Sequence, residues 1–143
     1  MDYSVLAVEL LSHMHILQKL QSQKNIFEAM QGEAFVLGYI ASQSGEVLPG
    51  EIGNKMGVTS ARIANTLNGL EKKGLITREI DKNDRRKILV RITQEGKELA
   101  TKHKQTMMSI ASQMLELLGE NDAKEYVRLV KKLAELLHNN DLV

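Results

Sequence analysis

The chain contains no cysteine, and that absence removes disulfides, thiolate metal sites and thiol-based redox sensing from consideration. It has no tryptophan and only 3% aromatic residues. A core with so few rings has to be aliphatic and methionine-rich, which suits helices packed on helices. No apolar run approaches the roughly 20 residues needed to span a bilayer. Asp2 and Glu9 stand where a secretory leader would carry a basic region ahead of an apolar one. A cytoplasmic protein with no membrane association is expected. Catalytic signatures are missing too: there is no Gly-rich phosphate loop, no Ser/His/Asp spacing of a triad and no carboxylate pair flanked by apolar sequence. His13 and His15 are two apart and fall on different faces of a helix; His103 and Met107 are four apart but lack a surrounding cluster. Neither an enzyme nor a cofactor or metal site is expected, and the histidines read as solvated or core residues.

What is present is enough for one compact domain over residues 1–143, with 43% apolar content to fill a core. The net charge of +1 conceals a polarised chain. From Lys55 to Arg91 there are ten Lys and Arg against four Asp and Glu, whereas the rest carries nine basic and fourteen acidic residues. A local basic excess on a near-neutral protein is the footprint of a surface that meets phosphates on one side. A solvated face with a flexible tip is the plain alternative.

The basic stretch has internal order. In VTSARIANTLNGLEKKG, Val58, Ile63, Leu67 and Leu70 are spaced to line one helix face. Ser60, Arg62, Asn65 and Thr66 then project the other way. Thr59 is the expected N-cap, and Gly74 the left-handed residue past the end, after Lys72 and Lys73. Leu75, Ile76 and Ile80 read as a strand, with Ile88, Val90 and Ile92 as its return partner, separated by the polar tip DKNDRR. Just upstream, Pro49 opens a short helix that runs to Met56 and is closed by Gly57. The brief turn to Thr59 makes this pair a helix-turn-helix.

The flanks are helical. The first helix runs from Val5 to about Gln23, with Leu6, Leu10, Leu17 and Leu20 in one stripe and Val5, Val8, Leu11 and Ile16 outside it. Lys24–Met30 reads as a loop. A second helix over Gln31–Ser42 buries Phe35, Val36, Leu37, Tyr39 and Ile40, and SQSGEV ends it with turn chemistry. Downstream, Thr93 caps a long helix over Gln94–Leu118 that Gly119 stops, and Asn121 caps a last helix striped by Ala123, Val127, Val130, Leu133, Ala134 and Leu137. The first and last two helices carry more apolar surface than a monomer of this size can cover, so a homodimer is expected.

Strand, basic tip and return strand flowing into QEGKEL resemble the winged helix-turn-helix of the MarR (multiple antibiotic resistance regulator) transcription factors. Asp84-x-Arg86 followed by Ile92-Thr93 matches that family's wing signature. The helical order on both sides extends the resemblance over nearly the whole chain. The chain departs from the family pattern at Leu48, where a Ser or Thr cap is usual, and at Gly53, where Ala is usual. The resemblance implies a mainly α fold with a small β-wing: a winged helix-turn-helix DNA-binding lobe over 31–93 and a helical dimerisation lobe from 1–24 and 94–143. It also implies a dimeric regulator of transcription, most often a repressor, released by a small lipophilic or phenolic effector.

A two-fold dimer would read a pseudo-palindrome in double-stranded DNA. Ser60, Ala61, Arg62, Asn65 and Thr66 form the expected groove-facing surface, with Asn68 at its margin. Arg62 suits guanine O6/N7 and Asn65 suits adenine N6/N7, with phosphate contact or solvation as the alternative for each. On the wing, Arg86 suits the narrow minor groove, with Asp84 holding it, a pair of roles the resemblance supports. Lys82, Arg85 and Lys87 would meet phosphates. Arg78 would do the same or would pair with Glu79 or Asp81. A second class of function stays open: a winged-helix protein-interaction module whose basic face binds an acidic partner.

Overall fold

The computed structural model describes residues 1–22 and 32–140. The loop expected at Lys24–Met30 and Gln31 as a helix start lie outside the described residues, as does the Leu20 side chain. Within them, six helices and one two-stranded antiparallel sheet follow in order. They are α1 (Ser4–Ser22), α2 (Glu33–Ser42), α3 (Pro49–Met56), α4 (Ser60–Lys72), β1 (Ile76–Ile80), β2 (Ile88–Ile92), α5 (Gln94–Leu118) and α6 (Glu120–Asn139). The mainly helical class with a β-wing is observed. No described helix is long and apolar enough to cross a membrane.

The chain divides into two compact units, residues 1–104 and 105–143. In the first, the core gathers Val36, Leu37 and Ile40 of α2, Ile52 of α3, Ile63, Leu67 and Leu70 of α4, Ile76 of β1, Val90 of β2, Val47 and Ala100. Each buried Leu, Ile or Val contributes roughly 1.5–3 kcal/mol. The stripe read from α4 is therefore its core face, with Val58 packed against it half-buried. Phe35 departs from expectation at 40% exposed; α2 is apolar on nearly all sides, and it buries only the side that faces α4 and β2.

Local chemistry sets the boundaries of α3 and α4. Gly57 at φ +64° ends α3, and Thr59 accepts a hydrogen bond from the Arg62 N–H to begin α4. Gly74 at φ +75° then turns the chain into β1. Thr93 closes this segment from the far side. Its hydroxyl donates to the Gly74 carbonyl at 2.7 Å and accepts from the Gly96 N–H at 3.1 Å, so one side chain both caps α5 and ties it to the end of α4.

The β1–β2 register pairs Ile76 with Ile92, Arg78 with Val90 and Ile80 with Ile88. Alternation alone puts Ile80 and Ile88 inside with the others. They are 63% and 44% exposed, because the hairpin runs beyond the end of the core. Val47, expected only in a turn, pairs with Val90 through reciprocal backbone hydrogen bonds of 3.0 and 2.8 Å and gives the sheet a one-residue third strand.

In the second unit, α6 begins at Glu120 instead of at an Asn121 cap. Gly119 at φ +82° both ends α5 and supplies the N-cap, and its carbonyl accepts from the Ala123 N–H at 2.9 Å, so Asn121 is drawn into the first turn. Ion pairs Lys124–Glu120, Arg128–Glu125 and Lys131–Glu135 run along the polar side of α6. Its apolar stripe is not buried.

Candidate nucleic-acid interface

The helix α4 has two chemically distinct sides. Ile63, Leu67 and Leu70 are sealed in the core, which leaves Ser60, Ala61, Arg62 and Asn65 exposed on the outer side. Arg62 and Asn65 have no side-chain partner among the described residues, so their donor and acceptor groups are available to a ligand. Thr66 is half-buried, and its hydroxyl donates back to the Arg62 carbonyl at 3.0 Å.

The hairpin tip is polar but ordered by its own carboxylates. Asp81 Oδ1 accepts from the Asn83 N–H at 2.9 Å, and the Asp81 N–H and the Lys87 carbonyl close the loop at 3.0 Å. Asp84 Oδ1 accepts both from the Arg86 backbone N–H at 3.1 Å and from Arg86 Nε at 3.2 Å. Arg86 is otherwise in solvent, its side chain 91% exposed, with both Nη groups unpartnered among the described residues. One carboxylate thus fixes the stem of the guanidinium and leaves its fork free. Lys82, Arg85 and Lys87 are exposed around it.

Charge on this unit is more structured than a simple count suggests. Lys73 pairs with Glu33, Arg91 with Glu46, Arg78 with Glu71 and Arg86 with Asp84. Hydrogen bonding to Glu46 raises the Arg91 guanidinium above its ordinary range. Lys55, Arg62, Lys72, Lys82, Arg85 and Lys87 have no carboxylate partner among the described residues. The helix-turn-helix and the wing together thus carry six cations without a carboxylate partner among those residues.

Arg78 pairs with neither Glu79 nor Asp81. Strand alternation turns it inward, on the face shared with Ile76, and its guanidinium meets α4. Nε donates to Glu71 Oε2 at 3.1 Å, and Nη2 donates to Asn68 Oδ1 at 2.6 Å and Glu71 Oε1 at 3.3 Å. These bonds hold the Glu71 carboxyl below its ordinary range. The brace couples β1 to α4, and sequence reasoning missed it. The signal that could have found it was the period-two position of Arg78, which puts it on the helix-facing side.

Among the described residues no three His, Asp or Glu side chains cluster in a way that could hold a metal ion. His13 Nδ1 sits 2.8 Å from the Glu9 carbonyl within its own helix.

Known proteins share this fold and sequence pattern. The MarR family model matches residues 30–87. The HTH-type transcriptional regulator YdgJ of Bacillus subtilis is 30% identical over 134 residues, spanning 87% of this chain and 78% of the relative. YwhA of the same organism, another HTH-type transcriptional regulator, is 26% identical over 94% of this chain and all of its own length. Among solved structures, a mutant form of Staphylococcus aureus MepR is 25% identical with a TM-score of 0.70, covering 95% of this chain and 99% of that one. Streptococcus pneumoniae FabT, in complex with DNA, has a TM-score of 0.71 at 22% identity and covers 99% of this chain and 100% of that one. With the helix-turn-helix, the Asp84-held Arg86 and the capping Thr93 all in place, the chain belongs to the MarR family of winged helix-turn-helix transcriptional regulators, a non-enzymatic family.

Proposed function

We propose that this regulator acts as a homodimer that binds a pseudo-palindromic site in duplex DNA, one α4 in each of two successive major grooves and one wing in each flanking minor groove. The observation that carries this reading is the outer side of α4 and the wing tip: exposed Arg62 and Asn65, an anchored but open Arg86, and unpaired Lys and Arg on one compact unit. Arg62 and Asn65 read base edges; Ser60, Ala61 and the Thr66 methyl complete the groove surface. Arg86 enters the minor groove, where the potential is most negative, and Lys82, Arg85 and Lys87 meet phosphates. That FabT, which shares this fold, was solved in complex with DNA supports a DNA-binding reading.

A second copy of the chain is the natural cover for the helical flanks. On α6, Tyr126, Val127, Leu129, Val130, Leu133 and Leu136 are all about half exposed, and α1 leaves Val5, Leu6, Leu10, Leu11 and Ile16 in solvent. Monomers rarely leave so much apolar surface uncovered. In this reading residues 31–93 form the DNA-binding lobe and residues 1–24 with 94–143 the dimerisation lobe. Repression released by a small lipophilic or phenolic ligand is the regulatory mode. Such a ligand must bind one spacing of the two recognition helices more tightly than the other. The relative YetL of B. subtilis, named an HTH-type transcriptional repressor and 29% identical over 62% of this chain, supports the sign.

Salt titration of binding to a random-sequence duplex tests the DNA reading. With this many unpaired cations in a dimer, affinity is expected to fall roughly 10³-fold or more between 50 and 200 mM salt. Binding that is absent at low salt, or flat across the titration, would favour an acidic protein partner for the basic face instead.

A further inference from the structure

The brace between β1 and α4 has a chemical consequence for DNA binding. A guanidinium carries only donors, so the Asn68 atom 2.6 Å from Arg78 Nη2 has to be the amide oxygen. That bond fixes the orientation of the amide. The Asn68 Nδ2 group, with its two hydrogens, is left exposed and without a partner among the described residues. A bidentate adenine contact needs the same Asn oxygen as an acceptor, and here it already holds a charge-assisted bond. Arg78 is itself compensated by Glu71 and half-buried, so it is poorly placed to gain from a phosphate.

We infer that Arg78 is a positioning residue that acts on DNA through Asn68: it pins the Asn68 carbonyl and thereby presents the Asn68 N–H groups to a phosphate oxygen beside the groove. Glu71 holds the guanidinium at the junction of wing and helix. The inference rests on the DNA-binding reading above and adds a division of labour to it. Asn65 is free to read bases, whereas Asn68, its oxygen engaged by Arg78, acts through its N–H groups.

The test has one arm without DNA and one with it. In the free protein, the Asn68 side-chain amide pair in a ¹H–¹⁵N spectrum is expected to shift in Arg78→Lys and in Glu71→Gln; an amide pair unmoved in both overturns the pin. The second arm measures binding of a random duplex by wild type, Arg78→Gln, Arg78→Lys, Asn68→Ala and the Arg78→Gln/Asn68→Ala double variant. Each single change is expected to weaken binding about tenfold, and the double variant should bind no worse than Asn68→Ala. Arg78→Lys keeps the charge but cannot bridge both partners, so it should weaken binding as much as Arg78→Gln, with the salt slope unchanged in either. A slope reduced by about one unit in Arg78→Gln, binding retained in Arg78→Lys, or effects that multiply in the double variant would overturn the inference. Should wild type bind no duplex at all, the DNA reading fails and takes the inference with it; should wild type bind while the effects multiply, only the inference fails.

Discussion

Replacing Gly96 with alanine is expected to lower the midpoint of thermal unfolding by roughly 10 °C, measured against wild type at equal protein concentration. Gly96 lies in the first turn of α5, where Thr93 draws the chain against the end of α4: the Thr93 N–H donates to the Leu75 carbonyl at 3.0 Å. A Cβ on Gly96 would run into the Leu75 carbonyl oxygen and stand 2.7 Å from Ile92 Cγ1 and 3.1 Å from the Leu75 carbonyl carbon. Two of those neighbours are backbone and cannot rotate away. The start of α5 would have to lift off Leu75 and Ile92 and break the Thr93 hydrogen bonds, at the upper end of the overpacking range, about 3 kcal/mol. Gly96 is thus required for room and not for backbone freedom. Gly53 makes the internal control. There a Cβ would meet the Val58 carbonyl at 3.5 Å and Ile63 Cγ1 at 3.6 Å, ordinary van der Waals distances. Gly53→Ala should be neutral or stabilising by up to about 1 kcal/mol through helix propensity. A Gly96→Ala protein as stable as wild type would mean that α5 does not pack this closely on the end of α4.

Arg86→Ala is the second large effect, and it falls on function with stability spared. The side chain is almost wholly in solvent, so its removal costs little packing. In the proposed complex the substitution takes a cation out of each minor groove and leaves Asp84 behind as an uncompensated negative charge. Affinity for every duplex should fall by about tenfold or more, and the salt slope by about one unit for each phosphate-facing cation removed. Preference among base sequences should change little, because this guanidinium reads potential and groove width more than base edges. Circular dichroism and the melting midpoint should match wild type. An unchanged slope at unchanged stability would remove Arg86 from the interface.

The parts of the fold legible in the sequence are those decided within one or two turns of chain. Gly57, Thr59 and Gly74 mark the ends of α3 and α4 because left-handed backbone and side-chain capping are local requirements. The Ile63–Leu67–Leu70 stripe and the Val90 side of β2 follow from periodicity alone. Where local signals compete, the sequence misleads. Gly119 and Asn121 both suit a cap, and the residue already turning the chain took the role. Alternation could say which face Ile80 and Ile88 share with Ile76, but not that the core ends before reaching them.

The candidate site divides along the same line. Asp84 and Arg86 are two residues apart, and their bond is a property of the tip itself. Glu46–Arg91 and Glu33–Lys73 join residues 45 and 40 positions apart, and the Val47–Val90 bridge is a single pairing with no pattern to display. Arg78 is intermediate. Its inward direction was legible, whereas its partners depend on how β1 crosses α4, which only packing decides.

Selection of bound sequences from a random duplex library by wild-type protein tests the central claim most directly, because it reads DNA binding, two-fold symmetry and half-site spacing together. The account predicts an inverted repeat with half-sites one helical turn apart, about 10–10.5 base pairs centre to centre. Enrichment of a single unpaired half-site, or of no sequence at all, would contradict it.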